Sequence, residues 1–145
     1  MLVKQILSMK ASGEVITIAP TASVADAAKM LSDKRIGAIV VLGDAPQPLG
    51  IISERDIVRE LGKRGAGVLA LTVGDLMTRN LMTCTTGEDT RAILERMTEG
   101  RFRHLPVVDA SGAMIGLVSI GDAVSARLKE LRAERDALTG MIMGN

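Results

Sequence analysis

The chain is expected to fold as an α+β protein made of two similar halves, on three observations. Displaced by 66 positions, residues 17–59 lie over residues 83–125 without a gap. Within each copy the apolar pattern reads strand, helix, strand, strand, helix. A length of 145 residues with 47% apolar content suits one domain or two small, closely packed halves. The identities across the displacement are Thr17/Thr83, Arg35/Arg101, Val41/Val107, Gly50/Gly116, Ser53/Ser119, Asp56/Asp122 and Val58/Val124. Seven in 43 positions is a low percentage, but the apolar pattern between them matches too, which is the mark of an internal duplication.

In the first copy, Val15–Ile18 is a short β-branched run stopped by Pro20. Ser23 reads as the N-cap of a helix carrying Val24, Ala27, Ala28 and Leu31 at three-to-four spacing. Ile39–Leu42 is a continuous apolar strand, ended by the turn residues Gly43-Asp44-Ala45-Pro46. Leu49–Ile52 is the return strand, and Ser53 opens a second helix through Ile57, Val58 and Leu61. The second copy repeats the order with a strand at Leu81–Thr85, a helix near Glu88–Met97, strands at Leu105–Val108 and Met114–Val118, and a helix from Ser119. Its hairpin turn is Asp109-Ala110-Ser111-Gly112. A similar lead-in precedes each copy, Val3–Leu7 and Val73–Met77, the first lying four residues further from its repeat. By chain order the units are 1–67 with the first lead-in, 68–128, and a helical tail at 129–145; the helical stretch Asp122–Met143 carries Leu128, Leu131, Leu138 and Ile142 near heptad spacing, interrupted by Arg135. That helix is expected to pack on its own domain or on a second copy, docking to another protein being the less favoured reading.

Composition narrows the function classes. Eighteen basic residues against seventeen acidic ones give a net charge of +1, with no basic stripe, so nucleic acid is disfavoured as the main partner. There is no Trp or Tyr, and Phe102 is the only aromatic, so any base must be held by aliphatic side chains and backbone. A single Cys and a single His cannot build a thiolate metal cluster, and Cys84 reads as a buried small apolar residue. Met77, Met82, Met97 and Met114 read as core filler. No apolar run approaches the roughly 18 residues of a membrane span, and the N-terminus is too short and polar for a signal peptide, so cytoplasmic residence is expected. Gly62–Gly67 is a basic linker and not a Walker loop, since Arg64 stands where the hydroxyl is required.

The chemistry-bearing pattern is Gly-x-x-Ser-x-x-Asp, present as Gly50…Ser53…Asp56 and as Gly116…Ser119…Asp122. Ser followed three residues later by an acid is a capping box, which satisfies orphan N–H groups at a helix start. The same junction also suits a nucleotide. A helix N-terminus with a hydroxyl receives phosphate, and an Asp one turn in accepts two hydrogen bonds from a ribose diol. Glycine within the preceding strand lets a ligand or another backbone approach closely. His104 is either a partly exposed structural residue or, with Arg101 and Arg103, part of a cationic cluster that an anion would relieve.

The duplicated unit, the Gly-x-x-Ser-x-x-Asp endings and the segment Arg101-Phe102-Arg103-His104-Leu105-Pro106-Val107-Val108-Asp109 resemble a tandem CBS pair, or Bateman module, of the stand-alone bacterial kind. The resemblance spans about Val3 to Leu128 and implies two CBS motifs packed sheet to sheet about a pseudo-twofold axis. It also implies a homodimer, with the apolar faces of the helices after Ser53 and Ser119 as interface, and an unidentified protein target. The implied ligand is an adenine nucleotide (AMP, ADP, ATP or NAD(H)), with no catalytic cofactor or metal. Carried over by position, the phosphate side falls on Ser53 and Ser119, with Arg55 and Gly121 in the same turns, and the ribose acids are Asp56 and Asp122. The second-strand positions facing the cleft are Gly37 and Ala38 in one copy and Arg103 and His104 in the other. The base walls are Ile16, Thr17 and Ile18 in the first copy and Met82, Thr83 and Cys84 in the second. Because only one copy brings Arg103 and His104, two unequal pockets are expected. The function implied is a nucleotide sensor; the other readings are an interaction scaffold with vestigial pockets and, least supported, an enzyme, for which no nucleophile–base pair stands out.

Overall fold

A computed structural model describes residues 1–10 and 15–143. Its elements run α1 (Val3–Met9), β1 (Thr17–Ile18), α2 (Val24–Lys34), β2 (Ala38–Leu42), β3 (Pro48–Ser53), α3 (Glu54–Arg64), a 3₁₀ turn (Ala66–Ala70), α4 (Val73–Leu76), α5 (Thr90–Gly100), β4 (His104–Val108), β5 (Met114–Ser119) and α6 (Ile120–Ile142). The protein is α+β, and each repeat carries two helices on its own small sheet, of three strands in the first repeat and two in the second.

In the first sheet β1 runs parallel to β2, with Thr17 opposite Val40, and β2 pairs antiparallel with β3 from Ala38–Ser53 onward. The second sheet has β4 and β5 in the same antiparallel register, His104 lying opposite Ser119. The strand expected at Leu81–Thr85 is reduced to one parallel bridge, Cys84 to Val107. The reason is Pro106, which stands opposite Thr83 where the first repeat has Val40 opposite Thr17: without an N–H it cannot extend the parallel ladder beyond Cys84. The segment Gly62–Gly67 is mostly ordered helix: α3 continues to Arg64, and Gly65, at φ 79°, turns the chain into the 3₁₀ turn.

The two lead-ins exchange places. Helix α4 packs into the first repeat's core, where Val73, Leu76 and Met77 join Val24, Leu31, Ile39, Val41 and Ile52. Helix α1 packs into the second core, where Val3 and Ile6 join Ile93, Met97, Leu105, Val107 and Val118. Reciprocal backbone pairs fix each exchange. Val73 N–H donates to Ala22 and Val24 N–H to Leu71, while Val3 N–H donates to Glu88 and Thr90 N–H to Met1. The repeats also touch directly, through Met114 N–H to the Pro46 carbonyl at 3.0 Å and through Gly37 beside His104.

Of the four methionines expected in the core, Met77 and Met97 are buried, Met114 is half-buried and Met82 is 46% exposed. Helix α6 buries Ala123 and Ala126 but leaves Val124, Leu128, Leu131, Leu138 and Ile142 exposed, so its own domain does not cover the heptad face. No helix among the described residues is long and apolar enough to cross a membrane.

Candidate functional site

Both Ser-x-x-Asp junctions form complete capping boxes. Ser53 Oγ accepts the Asp56 N–H at 3.2 Å and Asp56 Oδ2 accepts the Ser53 N–H at 3.0 Å. Ser119 Oγ and Asp122 Oδ2 make the matching pair at 3.1 and 2.9 Å. What differs is how each carboxylate is charge-balanced. Asp56, 6% exposed, is tied through Oδ1 to Arg59 on the next turn of its own helix at 3.0 Å. Asp122 is tied through Oδ2 to Lys10, which comes from the end of α1, at 3.0 Å, and the same ammonium donates to the Leu117 carbonyl at 2.8 Å. Burial raises the Asp122 carboxyl, but the Ser119 backbone N–H and the Lys10 ammonium outweigh it and hold the group below the ordinary 3.8.

Each junction opens into a cavity between the repeats. The first, about 580 Å³, is bounded by Ser53, Glu54, Arg55, Asp56 and Arg59 on one side and by Arg101, Phe102, Arg103, His104 and Gly121 on the other. The second, about 590 Å³, is bounded by Ser119, Asp122, Leu117, Leu7 and Lys10 facing Ile16, Arg35 and Ile36. Both volumes lie in the range of small-molecule sites. Gly37, Ala38, His104 and Ser119 line both cavities. The expected asymmetry between copies is therefore redistributed: Gly37 and Ala38 do not belong to one pocket and His104 to the other, because each cavity takes walls from both repeats. His104 stays neutral near pH 7, since burial, then the Arg103 charge, lower it from 6.5 against the opposing pull of Asp122 and Glu54.

Of the sixteen residues expected at a site, eleven line a cavity: Ile16, Gly37, Ala38, Ser53, Arg55, Asp56, Arg103, His104, Ser119, Gly121 and Asp122. The five others line neither of these two cavities. Ile18 is 8% exposed and Cys84 1%, and both side chains are spent on the two cores. Burial pushes the Cys84 thiol up to about 12. Thr17 pairs with Val40 in the first sheet. Thr83 turns its carbonyl to Arg96. Met82 points to the surface because its strand never forms.

Sequence reasoning missed Lys10, Arg35 and Arg59, left Phe102 outside the site, and placed Arg101 only in the cationic cluster beside His104. A signal for two of them was present. Arg35 and Arg101 are one of the seven identities, and both adopt the left-handed conformation, φ 54° and 56°, at the C-caps of α2 and α5. That position ordinarily favours Gly, so an Arg held there in both repeats is a strained residue that aims a cation at each cavity.

Comparison with known proteins accords with this geometry. A curated relative, the mitochondrial CBS domain-containing protein CBSX3 of Arabidopsis thaliana, is 38% identical over 126 residues, covering 84% of this chain. The chain spans 61% of that relative's length. Among solved structures, a CBS-domain protein of Agrobacterium tumefaciens matches with a TM-score of 0.83 at 40% identity, covering 88% of this chain and 99% of its own. CBSX2, solved in complex with AMP, matches at 0.74 and 30% identity, covering 88% and 96%. The CBS domain pair of protein MJ0100, solved with 5-methylthioadenosine and S-adenosylmethionine, matches at 0.76 and 28%, covering 91% and 98%. The family model of the CBS domain fits residues 3–63 and again 73–129, and the chain belongs to the CBS-domain family as a tandem pair.

Proposed function

We propose that this chain is a regulatory module that binds an adenine nucleotide (AMP, ADP, ATP or NAD(H)) between its repeats and signals occupancy to another protein. One observation carries the reading. At each of two cavities a helix start, a serine hydroxyl and an aspartate meet cations contributed by the opposite repeat. That arrangement offers acceptors to a ribose diol and donors to a phosphate within one volume. Family structures solved with AMP, and with 5-methylthioadenosine and S-adenosylmethionine, support an adenosine-type ligand. Because each cavity is walled by both repeats, a ligand gains contacts only where the repeats hold the spacing that fits it. It therefore shifts the population toward that spacing. No catalysis by the chain itself belongs to this reading. A second copy covering the exposed Val58 and Leu61 of α3 and the Leu128 and Leu131 of α6 completes it as a homodimer, which light scattering of the purified chain tests.

Calorimetric titration with AMP, ADP, ATP and NADH tests the nucleotide reading. Asp122→Ala removes charge-assisted hydrogen bonds worth roughly 1.5–3 kcal/mol, a loss of about 10- to 200-fold in affinity at the second cavity. The scaffold reading draws on one specific observation, that both Asp carboxylates already close capping boxes. It requires Asp122→Ala to lower the melting temperature while leaving every ligand titration silent. Turnover of a nucleotide by the purified chain would contradict both.

A further inference from the structure

The two aspartates that face the cavities are neutralised by different means, and the difference carries a consequence for ligand choice. Arg59 serves Asp56 from one turn further along α3, and the position equivalent to Arg59 in α6 is Ser125. The second aspartate has therefore lost its helical partner. Lys10 replaces it from outside the helix, with Nζ 3.0 Å from Asp122 Oδ2 and 2.8 Å from the Leu117 carbonyl. Its side chain remains 35% exposed and lines the second cavity. An ammonium has three donors, and these two contacts leave one to turn toward a ligand oxygen.

Across the cavity stands Arg35, held by its left-handed cap. Lys10 and Arg35 together oppose the single carboxylate of Asp122 among the described lining residues, with His104 neutral beside them. Without Lys10, Arg35 would only balance Asp122, and the cavity would keep no excess positive charge for a dianionic phosphate. Charges this close in a partly enclosed cavity are weakly screened. We propose that Lys10 is a specificity-determining residue that makes the second cavity select a phosphorylated adenine nucleotide over an uncharged or sulfonium adenosine derivative. This rests on the nucleotide-site reading above and adds the charge class of the ligand. The remaining wall, with Leu7, Ile16 and Leu117, is apolar and indifferent to charge, so discrimination falls on the cationic end.

Calorimetry with two probes, AMP and 5-methylthioadenosine, separates the possibilities. The titrations use Asp56→Asn chain, so that the second cavity dominates the signal, and compare it with Lys10→Met and Lys10→Arg added to that background. Lys10→Met is expected to weaken AMP by about tenfold or more, the scale of a lost charge-assisted hydrogen bond, and to leave 5-methylthioadenosine within about twofold. Lys10→Arg restores AMP to within a few-fold. If Lys10→Met weakens both probes alike, or neither, the proposal is overturned: in the first case the lysine only positions Asp122, and in the second it is a surface ion pair. A melting curve of each variant excludes loss of fold as the cause of a parallel loss. Failure of the wild-type chain to bind either probe overturns the nucleotide reading itself, an outcome distinct from both.

Discussion

His104 sits on the wall common to both cavities, where its ring lies 3.7 Å from the position a Cβ would take on Gly37. It is the chain's only histidine, the side-chain type whose ordinary pKa lies nearest neutrality. Burial and the Arg103 charge depress its folded-state value below 6.5, whereas the unfolded chain titrates near that value. Between the two values the unfolded state holds more protons, so stability is full above about 6.5 and is lost as pH falls through the folded value. The carboxyls of Asp75, Asp109 and Asp122 are all held below 3.8, so they stay ionised across this window and do not mask it. The melting temperature of the ligand-free chain should therefore fall from about pH 7 to about pH 5, and His104→Gln should flatten that decline. Equal slopes for the two proteins would remove His104 from the account.

The same logic of close neighbours governs the elements, and there the two glycines that precede the serines part company. The sequence pattern shows that something approaches Gly50 and Gly116, because glycine inside a strand is otherwise costly. What approaches was not legible, since the answer comes from segments distant in the chain. A Cβ on Gly50 would lie 2.8 Å from the Thr78 carbonyl oxygen, where Thr78 pairs with Ile51 at the edge of β3. A Cβ on Gly116 would lie 2.8 Å from a methyl of Leu7 on α1. Backbone cannot step aside, and the end of a leucine side chain can. Gly50→Ala is accordingly expected to cost about 1–3 kcal/mol, and Gly116→Ala less than about 1 kcal/mol. Chemical denaturation of the two variants measures both, and an equal or reversed order would show that the approach of Thr78 is looser than described. The capping boxes, by contrast, are local in sequence, and Ser53, Asp56, Ser119 and Asp122 were readable at once. The reading of Leu81–Thr85 as a full strand failed for a non-local reason: an apolar run reads as a strand whether or not its neighbour offers an N–H, and Pro106 offers none.

At the scale of the molecule, the duplication was legible because it lies along the chain, and the exchange of lead-ins was not, because it is a fact of packing alone. Val3–Leu7 and Val73–Met77 resemble each other and each precedes a repeat, which invites assigning each to the repeat that follows it. The cores assign them the other way. The exchange also explains why Lys10 escaped notice: a residue at the end of the first lead-in reaches Asp122 only because α1 belongs to the second repeat. It further ties the halves together, since the second core closes only with α1 from the far end of the chain and the first only with α4 from beyond residue 67. A fragment of residues 1–67 lacks Val73, Leu76 and Met77, each 9% exposed or less. Burying side chains of this kind contributes roughly 1.5–3 kcal/mol apiece, and three of them rival the whole net stability of a small domain. The same fragment keeps α1, whose Val3 and Ile6 then have no core to enter. A fragment of residues 15–80 is one residue shorter, drops α1 and retains α4 together with the Thr78 pairing to β3. Thermal unfolding followed by circular dichroism should show a cooperative transition for residues 15–80 and none for residues 1–67. Comparable melting of the two fragments would mean that α4 contributes little to the first core and that the repeats are independent along the chain.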